Sequence, residues 1–132
     1  MDNLELAKVV LDYALRCETC SRDYERKYKD LLEEHTKELE KFSTKTPLAK
    51  ILMEGGLDAI LKMIERQEEE HYAVIFEHYT SLVNIKKEIA DKLKDGLNTP
   101  PVECLIKLVD SKINRTYEQM QVYSKGIGDK IE

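Results

Sequence analysis

A seven-residue apolar pattern between Leu57 and Ile89 limits what this chain can become. Leu57, Leu61, Ile64, Glu68, His71, Ile75, His78, Leu82, Ile85 and Ile89 follow one another in alternating steps of four and three. That spacing puts them on one face of a helix turned towards partner helices. Seven of the ten are Leu or Ile, and the other three, Glu68, His71 and His78, are polar. A buried polar atom without a partner costs about 1–3 kcal/mol. These three must therefore bond one another or a neighbouring helix, hold a metal ion, or face water.

The flanking sequence repeats the helical theme. Before the seam, Leu6, Val10, Tyr13, Cys17, Cys20, Tyr24, Tyr28, Leu31, His35, Leu39 and Phe42 recur at threes and fours. They predict a first helix over about 3–42, with Asp2 or Asn3 as its N-cap. At about 1.5 Å per residue it would be about 60 Å long, and Cys20-Ser21 is the place for a kink. Thr46-Pro47 starts a short helix over 47–54, and Gly55-Gly56 breaks the chain. The central helix is expected over 57–95, stopped by Gly96. Thr99-Pro100-Pro101 opens a third long helix over 100–124, with Val102, Ile106, Val109, Ile113, Tyr117 and Met120 as its stripe. Residues 125–132 read as a flexible tail. The expected fold is all-α: an antiparallel bundle of three long helices plus one short helix, a single domain over 1–132.

Charge narrows the function classes. The chain has 132 residues, with 21 basic and 26 acidic side chains interspersed, for a net charge of −5. A nucleic-acid binder needs a basic stripe to release counterions, so nucleic acid is an unlikely partner. No apolar run approaches the roughly 18 residues of a membrane span, and no membrane partner is expected. The three cysteines form an odd set. With no secretory signal, they point to reduced thiols and a cytoplasmic location.

Two constellations have metal-ligand spacing. Cys17-x-x-Cys20 puts two thiols on one face of the first helix. With His71 or His78 from the seam they make a donor set suited to tetrahedral zinc. Glu68-x-x-His71 puts a carboxylate and an imidazole on one face of the central helix. Over Ile64 to Glu77 this segment resembles the ferritin-like and rubrerythrin-like proteins, whose di-iron sites use two Glu-x-x-His helices and two further Glu. The resemblance implies iron, with Glu18 or Glu34 as an added carboxylate. The third helix departs from the pattern, offering only Glu118-x-x-Gln121, so a complete site would be shared between two chains. The competing expectation for Glu68, His71 and His78 is a structural polar layer that fixes helix register.

Seven tyrosines, Tyr13, Tyr24, Tyr28, Tyr72, Tyr79, Tyr117 and Tyr123, suit half-buried core positions or a protein-binding surface. No phosphate-binding loop, nucleophile elbow or HExxH motif is present. The sequence therefore points to a non-enzymatic helical interaction or assembly protein, of an accessory or mobile-element kind. Its partner would be another protein or a second copy in a homodimer, with no cofactor. The alternative is a ferritin-like metal protein that takes iron or zinc through Glu68 and His71.

Overall fold

The computed structural model describes the backbone of residues 1–45 and 56–131, and the side chains of residues 1–42 and 56–123. Everything described is helix or turn: α1 (Asn3–Lys45), α2 (Gly56–Lys92), a 3-10 turn (Lys94–Gly96) and α3 (Pro100–Ile131). The short helix expected over 47–54 lies outside the described residues, as does Gly55. α1 runs unbroken through Cys20-Ser21. Its 43 residues extend about 65 Å. The helical backbone of α3 continues through 125–131, the stretch read from the sequence as a tail. Two glycines weaken a helix by about 1 kcal/mol each without forbidding it.

Local chemistry accounts for the helix ends. Asp2 caps α1, its carboxylate accepting the backbone N–H of Glu5 at 2.8 Å. The sequence suggests Thr99 as the N-cap of α3, and its side chain does otherwise. Its hydroxyl donates backwards to the Gly96 carbonyl at 2.6 Å and accepts nothing from α3. The two residues after it are prolines, so the first N–H that a cap could reach is that of Val102.

Side-chain pairs fix how the helices lie. Arg16 meets Glu88, Lys27 meets Glu77 and Glu38 meets Arg66, so numbers fall along α2 as they rise along α1. Between α2 and α3, Lys86 meets Asp110 and His78 meets Thr116. Between α1 and α3, Tyr24 meets Gln119 and Tyr28 meets Tyr123, numbers rising together.

The apolar core occupies one end of this packing. Tyr13 and Cys17 from α1, Ile85, Ile89 and Leu93 from α2 and its exit, and Val102, Leu105 and Val109 from α3 form a buried cluster. Leu6, Val10, Ile106 and Ile113 pack around it. The seam of α2 is thus buried in its second half, at Ile75, His78, Leu82, Ile85 and Ile89. In its first half Leu57 and Leu61 are exposed, and the buried residue is Gln67 in place of Glu68. A straight helix turns by 3.6 residues and a heptad by 3.5, so the inward face drifts by about 20° per heptad. Over three heptads the drift is about 60°, more than half of the roughly 100° between successive residues, so Gln67 comes closer to the inward direction than Glu68.

Candidate functional site: a polar layer of histidines and tyrosines

Moving along the bundle from the apolar cluster, the interior turns polar at His78. This ring is buried and lies parallel to the Tyr24 ring, with centroids 4.3 Å apart and planes 1° from parallel. Its hydrogen bonds can be assigned by counting protons. The Thr116 hydroxyl donates to the Lys112 carbonyl at 2.8 Å, so towards His78 Nδ1 at 3.3 Å it can only accept. Nδ1 therefore carries the ring proton. The Ser21 hydroxyl accepts from Lys112 Nζ at 3.2 Å, and because the neutral ring has its one proton on Nδ1, Ser21 donates to His78 Nε2 at 3.3 Å. His78 is a neutral imidazole with both nitrogens used. Burial, helped by the Lys112 ammonium, pushes its pKa down to about 4.

One to two turns further on, Tyr28 and Tyr123 bring their hydroxyls to 2.9 Å from α1 and α3. The His71 ring lies beside both, with centroid distances of 5.4 Å to Tyr28 and 6.0 Å to Tyr123. Burial raises the Tyr24 pKa to about 12, and burial plus the Tyr28 hydrogen bond raises that of Tyr123. These hydroxyls stay protonated at neutral pH and serve as hydrogen-bonding groups.

The third level is a chain of ionisable groups. His35 Nδ1 and His71 Nε2 are 2.9 Å apart, and His35 Nε2 is 2.6 Å from Glu70 Oε2. A carboxylate accepts only, so the Nε2 of His35 holds a proton and donates it to Glu70. That hydrogen bond, with Arg66 beside it, holds the Glu70 carboxyl below the usual range. Arg66 reaches Glu70 at 3.0 Å and also pairs with Glu38. Burial, then the nearby His35, lowers the His71 pKa. Gln67 donates a long hydrogen bond of 3.5 Å to the His35 carbonyl.

The residues singled out in the sequence do not come together as one group. Cys17 lies in the apolar cluster, fully buried. Cys20, half-buried, lines a groove between α1 and α2 with His78 and Ser81. Burial raises the pKa of both thiols, which keeps them protonated at neutral pH. His78 belongs to the first polar level and His71 to the third. Glu68 is half-buried and bears electrostatically on His71 and Tyr123. Among the described residues, no three His, Cys, Asp or Glu side chains are grouped so as to hold a metal ion. Cys17, Cys20 and a seam histidine therefore make no ready tetrahedral zinc group within one chain.

Among the described residues, every buried side-chain nitrogen and oxygen has a hydrogen-bond partner. The polar layer thus meets the condition under which polar groups are tolerated inside a bundle. His35 is the member that sequence reasoning missed, because it falls within the inward stripe of α1 and carries no motif. The signal that could have found it is its position. If α1 and α2 fold back on each other from a turn near residue 50, His35 lies within two turns of His71.

Among the described residues, no helix is long and apolar enough to cross a membrane. Comparison with protein-family models, with curated proteins and with solved structures finds no match to this chain.

Proposed function

We propose that this chain is a non-enzymatic docking protein, an antiparallel three-helix bundle that pairs with a second copy through the first half of α1. One observation carries the reading. Leu4, Leu11 and Leu15 are 65%, 61% and 57% exposed, while Tyr13 and Cys17 on the opposite side of the same helix are buried. Spaced by seven and four residues, the three leucines make a coiled-coil seam with no helix against it among the described residues. Met1 extends the seam, and Lys8 interrupts it. A solvent-facing leucine stripe on a rigid helix is a typical mark of an association surface.

The charges on this stripe suit a two-fold partner. Lys8 and Asp12 are one turn apart. When two copies of α1 cross in opposite directions at position 10, within the Leu4–Leu15 stripe, Lys8 of each lies level with Asp12 of the other. A parallel pairing would instead set Lys8 against Lys8.

Sedimentation equilibrium tests the reading. At about 100 µM chain, where interfaces with micromolar Kd are filled, the expected mass is twice the 15.4 kDa of one chain. The Leu11→Glu variant, with unchanged helical circular dichroism, is expected to sediment as a monomer. A single-chain mass for the parent protein, or a dimer indifferent to Leu11→Glu, would overturn the proposal.

A further inference from the structure

The contact between His35 and His71 has the shape of a metal-binding pair. Glu70 keeps the His35 proton on Nε2, 2.6 Å away, so the lone pair of a neutral His35 sits on Nδ1, facing His71. A carboxylate on the far nitrogen of an imidazole is the usual outer support of a metal-ligating histidine. The two facing nitrogens are 2.9 Å apart, and their ring centroids are 4.6 Å apart. Two imidazoles bound at about 2.0–2.1 Å to one ion, at a right angle, would have nitrogens about 2.9 Å and ring centres about 4.5 Å apart. A straight N–H···N bond of the same length would put the ring centres about 5.2 Å apart. The observed ring separation of 4.6 Å is close to that of the metal arrangement and shorter than a straight hydrogen bond gives.

We propose that His35 Nδ1 and His71 Nε2 form a two-nitrogen site for a divalent transition-metal ion, with Glu70 orienting His35. The right angle suits an octahedral or tetragonal ion such as nickel(II). Tetrahedral zinc would need the nitrogens about 3.3 Å apart. With both rings neutral, binding displaces the proton shared between them, and His71 carries it on Nδ1 as the other tautomer, so no net proton leaves. No third His, Cys, Asp or Glu among the described residues completes the group. The remaining positions fall to water or to a donor from another chain. His71 is partly exposed, which gives the ion a way in. The site is separate from the leucine stripe of α1 and does not depend on the docking reading.

The test uses full-length, metal-free, reduced protein titrated with nickel(II), which thiols do not reduce. Calorimetry is expected to show one saturable ion per chain. X-ray absorption of the loaded protein is expected to show two imidazole scatterers and no nickel–sulfur distance. His71→Gln and His35→Gln should each weaken binding about tenfold or more, and Glu70→Gln about tenfold, with helical content retained. His78→Gln should leave affinity unchanged. Absence of saturable binding, a nickel–sulfur distance, or fewer than two imidazoles would each overturn the proposal. The absorption result decides the matter on the parent protein even if a variant fails to fold.

Discussion

Acidification should destabilise this fold through His78 before any carboxylate titrates. Its imidazole is neutral and closed in by Ser21, Thr116, Lys112 and the Tyr24 ring. Folded, its pKa is about 4; unfolded, it returns to about 6.5. The unfolded chain therefore takes up the proton first as pH falls. The stabilisation is complete above about pH 6.5, declines from there to about pH 4, and has gone below both values. Between about pH 7 and pH 5 the loss comes to about 2 kcal/mol, or about 1 M in urea midpoint for a domain of this size. The assay is urea unfolding by circular dichroism at both pH values, for the parent and for His78→Gln. The glutamine amide still offers a donor and an acceptor between Thr116 and Ser21, but it does not titrate. His35, His71 and Glu70 are present in both proteins, so their contributions cancel in the difference. The variant should be less stable at pH 7 and should lose about 2 kcal/mol less on acidification. Equal losses in the two proteins would refute the assignment of a neutral, enclosed His78.

The other predictions concern the apolar end. Ile89 is fully buried among Tyr13, Leu93 and Val102, so Ile89→Ala should cost about 2–5 kcal/mol in denaturant unfolding. By contrast, Glu88→Ala next to it removes an exposed pair with Arg16 and should cost about 1 kcal/mol or less. The thiols should separate by rate towards an aromatic disulfide reagent. Cys104 is exposed, whereas Cys17 is buried and Cys20 half-buried, and burial raises the pKa of the latter two. One fast equivalent followed by two slow ones is the expected trace, and three fast equivalents would contradict the packing of α1.

Much of the fold was legible because it depends on local rules. The threes and fours of α1, the Pro100-Pro101 start of α3 and the Asp2 cap are readable one helix at a time. What could not be read depends on where the neighbours stand. Leu57 and Leu61 match the seam as well as Leu82 does, yet Leu82 is fully buried and they are exposed. Periodicity names a face without saying what lies against it. The same gap explains the site. His71 and His78 were recognisable as polar interruptions, but their partners Ser21, His35 and Thr116 come from other helices. Ser21 and Thr116 look unremarkable in sequence, and only the facing of α1, α2 and α3 makes them part of one layer. Cys17 and Cys20 share a helix face and still part company, since Cys17 falls to the apolar cluster and Cys20 to the groove edge.

The central claim is that two copies meet along the first half of α1. A photo-crosslinking residue in place of Leu11 tests it directly, followed by mass spectrometry of the crosslinked peptides. The account predicts a covalent dimer whose crosslinks join position 11 to the region between Leu4 and Leu15 of the second copy. Crosslinks that stay within one chain, or that reach α2 or α3 of a second copy, would contradict it.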